Sequence, residues 1–137
     1  MIAHWSFLDI LGPLIEAMPK DGWRLDDQIN DMVQGISSMP TKIDLVASPE
    51  ALECFASAYG VQVKRDSEVG AIYARELVRG LVTTVNFYDD RFLNKLHVVS
   101  RKDWMGLECP VIEPVHALEV YTRRGQSFRA KVMTYYL

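Results

Sequence analysis

Apolar residues recur at helical spacing in the first part of the chain and at alternate positions further on, and that change of period sets the expected architecture. Phe7, Leu8, Leu11, Leu14, Ile15 and Met18 share one helix face, with Pro13 kinking or restarting the helix. Pro19 and Gly22 then break the chain. Asp26 stands where a helix N-cap belongs, ahead of an apolar stripe of Ile29, Met32, Val33 and Ile36 that Ser37, Ser38 and Pro40 close.

The clearest stretch is residues 40–60, PTKIDLVASPEALECFASAYG. Its mostly apolar segment 42–47 predicts a short strand buried on both faces. Ser48 caps a helix that has Pro49 at its first position, Leu52, Phe55, Ala56 and Tyr59 on one face, and Gly60 as a positive-φ stop. The unit is helix–strand–helix, with the strand held between the helices as a packing device. VQVK predicts a short strand, while 65–80 is either one amphipathic helix or a mobile loop.

After Gly80 the period becomes two. LVTTVNFY predicts a strand, Asp89-Asp90 a turn, KLHVVS another strand and RKDWMG a turn. In HALEVYTRRGQSFRAKVMTYYL, alternation on both sides of Arg124-Gly125 predicts a hairpin over 116–137, with Phe128, Ala130 and Val132 facing the core. Early helices followed by antiparallel strands give an α+β fold: amino-terminal helices and the helix–strand–helix unit packed on a mainly antiparallel sheet ending in a carboxy-terminal hairpin. The 137 residues suffice for a single compact domain over 1–137, subdivided at most into 26–100 and the flanks 1–25 and 101–137.

Charge changes the picture only by exclusion. A net charge of -3 argues against attraction of nucleic acid by the whole surface. The amino-terminal apolar run carries Asp9 and Gly12-Pro13, and is expected to be neither a signal peptide nor a membrane span. Cys54 and Cys109 have no CxxC spacing and are expected to be buried thiols in a reducing, cytoplasmic setting.

Candidate chemistry is sparse. His4, His97 and His116 lack partners at ligand spacing, so no metal site is expected. Cys54 falls mid-helix rather than in the basic surroundings that activate a thiol. Asp89, Asp90 and Glu119 would form a hydrolase or nuclease site only if a cleft joined them; the simpler expectation is a solvated turn and an outward strand position. No phosphate-binding glycine loop or nucleophile elbow is present. Arg123 and Arg124, with Arg129 and Lys131 across the expected hairpin and Tyr121, Tyr135 and Tyr136 nearby, form one basic cluster, read as a charged hairpin edge. Of Trp5, Trp23 and Trp104, the last is expected near the surface. No catalytic residue, cofactor or metal is assigned. Trp104, Tyr73, Arg75, Arg123 and Arg124 are the candidate interface residues.

The element order resembles the carboxy-terminal, axial and peripheral part of tailed-bacteriophage major capsid proteins and encapsulins. The residues that carry it are KIDLVASPEAL, GLVTTVNFYDD, KLHVVSRKDW and YTRRGQSFRAKVMTYYL, over about residues 24–137. The chain lacks room for the arm, extended loop and spine helix of a complete capsid protein. The resemblance implies a non-enzymatic virion component that self-associates or binds other structural proteins. In it, 26–60 packs at symmetry axes, 65–80 lies near the capsomer centre, and 116–137 returns to the periphery. It implies no small-molecule substrate, no membrane and no specific nucleic acid. The alternative is a small phage- or plasmid-encoded inhibitor that binds one host protein in the cytoplasm.

Overall fold

A computed structural model describes residues 4–36 and 38–137, and the side chains of all of these except His4 and Trp5. Residues 1–3, Ser37 and the His4 and Trp5 side chains considered above lie outside the described residues.

The fold is α+β. The main sheet contains β1 (Trp23–Asp26), β2 (Ile43–Ala47), β3 (Lys64–Asp66), β4 (Ala71–Val78) and β5 (Leu81–Tyr88), in the order β1-β2-β5-β4-β3. β2 and β5 run parallel, and the other three pairings are antiparallel. A separate hairpin joins β6 (Ser100–Trp104) to β7 (Leu107–Val111). The helices are α1 (Leu8–Ala17), α2 (Asp27–Val33), α3 (Pro49–Tyr59), α4 (Pro114–Arg123) and α5 (Ser127–Met133), with short 3₁₀ turns between. No helix of the described residues is long and apolar enough to cross a membrane.

Strand alternation gives the sheet two chemically different faces. Trp23, Leu25, Ile43, Leu45, Ala74 and Val85 face the main core, where Leu11 and Leu14 of α1 and Leu52 and Phe55 of α3 meet them. The opposite face carries Arg24, Asp26, Asp44, Tyr73, Arg75, Thr84 and Asn86. The α3 signals act as expected: Ser48 Oγ accepts from the Ala51 N–H at 3.2 Å, and Gly60 stops the helix at φ 65°. Pro13 lies inside α1.

Several expectations are corrected. β1 was absent from the sequence pattern because its charged residues, Arg24 and Asp26, are as buried as Trp23 and Leu25. Asp26 does occupy the cap position of α2, but its side chain caps nothing. Residues 65–80 are neither helix nor loop: β3 and β4 pair around a turn at Gly70, whose φ is +74°. KLHVVS is largely a 3₁₀ turn, and RKDW, expected to turn, is strand β6.

A further correction concerns 116–137, which forms α4 and α5. The closing hairpin of this α+β chain is instead residues 100–111. Pro114 starts α4, and Ala117, Val120 and Tyr121 on one helix face meet Ala130 and Met133 of α5 in a second core cluster with Ile36 and Ile112. Phe128 is therefore 82% exposed and does not enter the core. Cys109 is buried as expected, but Cys54 is exposed.

Candidate functional site

Register places side chains from four strands in one row across the polar face. Asp26 of β1 lies opposite Asp44 of β2, Asp44 opposite Thr84 of β5, and Thr84 opposite Arg75 of β4. A second row runs Arg24, Val46, Asn86, Tyr73. A cleft of about 460 Å³ opens over these rows, bounded on one side by Arg124 and Gln126 from the α4–α5 turn and on another by Asp66 and Val69. It continues past Tyr88 and Arg124 into a hollow of about 360 Å³ that reaches Leu93.

Within the cleft the charges divide into those committed to the fold and those left over. Asp26 is held by both neighbouring arginines. Its Oδ1 accepts from Arg24 Nη1 at 3.2 Å, while Arg124 grips it bidentately at 3.1 and 2.8 Å. Burial opposes ionisation of this carboxyl, yet Arg124 and Arg24 outweigh it and hold the group down at about 2. Arg24 is itself fully buried and also donates to the carbonyls of Asn94 at 2.7 Å and Leu93 at 2.9 Å. Removing one member of such a set strands a buried charge, a loss of about 3–5 kcal/mol. The set is structural.

A second ionic layer ties α4 and α5 to α2. Tyr121 donates to Asp31 Oδ1 at 2.7 Å and Arg129 Nη1 to Asp31 Oδ2 at 2.9 Å. Arg129 Nε lies 2.9 Å from Asp27 Oδ1, an ion pair without hydrogen-bond alignment. Asp27 turns the chain from β1 into α2 at φ 53°, a strained value that aspartate tolerates better than most residues.

Asp44 is different. Its Oδ2 is buried and accepts no hydrogen bond, and its nearest cation, Lys42 Nζ, stands 3.7 Å away. Burial, with Lys42 opposing and Asp26 and Asp27 adding, pushes its carboxyl up to about 6. Arg75 is less committed still. Its Nε donates to Thr84 Oγ1 at 3.0 Å and its guanidinium lies 4.8 Å from the Tyr73 ring centroid, with no carboxylate partner among the described residues. Arg75, which no carboxylate among the described residues neutralises, and Asp44, which only the exposed Lys42 approaches, thus face one cleft.

No group of three or more His, Cys, Asp or Glu side chains able to hold a metal occurs among the described residues. Asp26, the carboxylate beside Asp44, has both oxygens occupied by arginines. The donor set does not fit a metal held by the protein alone.

Three of the candidate interface residues, Tyr73, Arg75 and Arg124, come together in this cleft. Arg123 lies apart, paired with Asp90 at 2.6 Å, and Trp104 is half-buried against the main core. The basic cluster disperses: Arg129 pairs with α2, Tyr121 is buried, and Lys131, Tyr135 and Tyr136 are exposed. Asp89, Asp90 and Glu119 each pair with a separate cation, Arg65, Arg123 and Lys95, and none of the three lines the cleft or the hollow beside it. His97 is exposed, and His116 lies 3.6 Å from Glu119. Sequence reasoning passed over Asp44 by treating its strand as packing. The signal was an acid set between Ile43 and Leu45 in an otherwise apolar run.

No family model and no curated protein matches this sequence. The fold is similar to the crystal structure of a putative nucleotidyltransferase from Thermotoga maritima: TM-score 0.74 over 97% of this chain and 93% of that one, at 14% identity. This likeness overturns the resemblance to phage capsid proteins and encapsulins. With it go the virion role, the non-enzymatic structural reading and the expectation that the chain is no enzyme. The resemblance rested on element order, and its terminal strand pair is α4–α5 while its variable segment contains β4.

Proposed function

We propose that the cleft binds a nucleoside triphosphate and that the chain transfers its nucleotidyl group to a hydroxyl acceptor. The observation that carries this is Asp44: a mostly buried carboxylate, unclaimed by any arginine, in a cleft it shares with the unpaired cation Arg75, in a fold like that of the Thermotoga protein. Arg75, the cleft's unpaired cation, supplies positive charge for a triphosphate, with Lys42 more exposed at the cleft edge. Val69, Tyr88 and Leu93 give the adjoining hollow an apolar side for the base.

In the step itself the acceptor oxygen bonds to the α-phosphorus and the bond to the β-phosphate oxygen breaks. Pyrophosphate leaves with the electron pair, and Asp44 takes the acceptor proton. A base titrating near 6 is ionised at neutral pH and still basic enough to accept that proton. Magnesium enters as part of the substrate, bound to the phosphates, and no protein step depends on it.

Nucleotide binding and pyrophosphate release test the reading, with labelled nucleoside triphosphates, magnesium, and mononucleotides or oligonucleotides as acceptors. Asp44→Asn should keep its nucleotide affinity and turn over about 10²–10⁴-fold more slowly. The wild-type rate should rise with pH through about 6, as Asp44 ionises, and then level off. No nucleotide binding by the wild type, or equal turnover by the variant, would sink the proposal.

A further inference from the structure

The polar face of the sheet continues beyond Arg75. Lys64 of β3 lies opposite Tyr73 of β4, so the second cross-strand row extends to the sheet edge. A second hollow of about 360 Å³ opens there, lined by Val61, Gln62, Lys64, Tyr73 and Arg75. Tyr73 and Arg75 border both this hollow and the cleft.

The chemistry differs on the two sides. Asp26, Asp27, Asp44 and Asp66 line the cleft, whereas no carboxylate among the described residues lines the hollow. Lys64 and Arg75 offer cationic donors, and Gln62 adds an amide. None of the three pairs with a carboxylate among the described residues. The neighbouring Arg65, on the other side of β3, is by contrast neutralised by Asp89 at 2.8 Å. A donor-rich hollow with one aromatic wall suits a phosphate joined to a flat ring. Its volume is in the range of small-molecule sites. Asp44 lies two strands from Arg75, about 10 Å at ordinary strand spacing, within reach of the ribose of a nucleotide gripped by its phosphate.

We propose that this hollow is the acceptor subsite and that the acceptor is a nucleotide, its phosphate on Lys64, its base against Tyr73, and Arg75, which borders both sites, standing between that phosphate and the triphosphate. The inference rests on the nucleotidyl-transfer reading above. The acceptor's ribose hydroxyl oxygen bonds to the α-phosphorus of the triphosphate, its proton passes to Asp44, and pyrophosphate leaves. The acceptor is either a mononucleotide or the terminal nucleotide of a strand.

The full chain is titrated with AMP and with a tetra-adenylate, with and without saturating magnesium and α,β-methylene-ATP. Lys64→Glu should weaken AMP binding at least tenfold and leave the affinity for the ATP analogue within twofold. Arg65→Glu, on the other face of the same strand, should leave AMP binding unchanged. Tighter, more salt-sensitive binding of tetra-adenylate than of AMP identifies a strand end, and equal binding a mononucleotide; either supports the subsite. Displacement of the analogue by AMP, or equal effects of the two β3 variants, overturns it. Failure of the analogue to bind while AMP binding still depends on Lys64 overturns the transfer reading alone.

Discussion

At the scale of single residues, Asp44 sets stability against the proposed chemistry. Its carboxyl rises from the ordinary 3.8 to about 6 because burial penalises the charge more than Lys42 relieves it. A raised acid binds protons more readily in the folded state, so its contribution to stability is present below about 3.8 and is lost as pH climbs to about 6. Asp31, also pushed up to about 6 by burial against the pull of Tyr121 and Arg129, acts with the same sign. Asp26 acts oppositely: its contribution is present above 3.8 and lost as pH falls towards about 2. Stability should therefore peak near pH 4. Asp44→Asn should be more stable than the wild type by roughly 1–3 kcal/mol at pH 7, with the gain shrinking toward pH 4. Urea melts across this range decide it; superimposable wild-type and variant profiles would show that Asp44 is not held against its charge.

At the scale of elements, α4 and α5 show how little a single face of contacts needs in order to choose a structure. Ala117, Val120 and Tyr121 meet Ala130 and Met133, and the Tyr121 hydroxyl and Arg129 anchor both helices to Asp31. Phe128 lies on the far side at 82% exposure, whereas Met133 is fully buried. Phe128→Ala should accordingly change stability by no more than about 0.5 kcal/mol. Met133→Ala should cost about 2–5 kcal/mol, since it deletes buried methylenes and leaves a cavity. A large loss at Phe128 with little at Met133 would restore the strand pairing that the tail's alternation suggests. The two variants are compared by chemical denaturation at constant m-value.

For the whole molecule, the cleft lies between the sheet and the α4–α5 turn, so a ligand there touches segments distant in sequence and binds only the folded chain. Magnesium–nucleoside triphosphate at a hundredfold its Kd should stabilise the protein by about 2.7 kcal/mol. For a chain of this size, that corresponds to a rise of roughly 10 °C in melting temperature. The rise should persist in Asp44→Asn, because a base acting on the acceptor proton adds little to triphosphate affinity. It should shrink in Arg75→Ala, which removes an unpaired cation facing the phosphates. A shift lost in the first variant and kept in the second would reverse the roles given to these two residues. Thermal melts at fixed nucleotide concentration distinguish the outcomes.

The α+β class, strand β2, helix α3 with both its caps, and strand β5 were legible in the sequence because their causes are local. Ser48, Pro49 and Gly60 act on backbone groups within a turn of themselves, and LVTTVNFY alternates over its own length. Tyr73, Arg75 and Arg124 stood out by residue type, but their meeting in one cleft did not. β1 was hidden because its polar residues are buried by partners elsewhere: the Arg124–Asp26 contact spans 98 positions and Tyr121–Asp31 spans 90. The same long-range contacts decide the tail for helix over hairpin, since over so short a segment periods of two and 3.6 place many of the same residues together. Asp44 reads locally as one acid in an apolar strand. Only the pairing of β2 with β1 and β5 sets it in a row with Asp26, Thr84 and Arg75, and only the two arginines that occupy Asp26 set that carboxylate apart from Asp44, which no arginine claims.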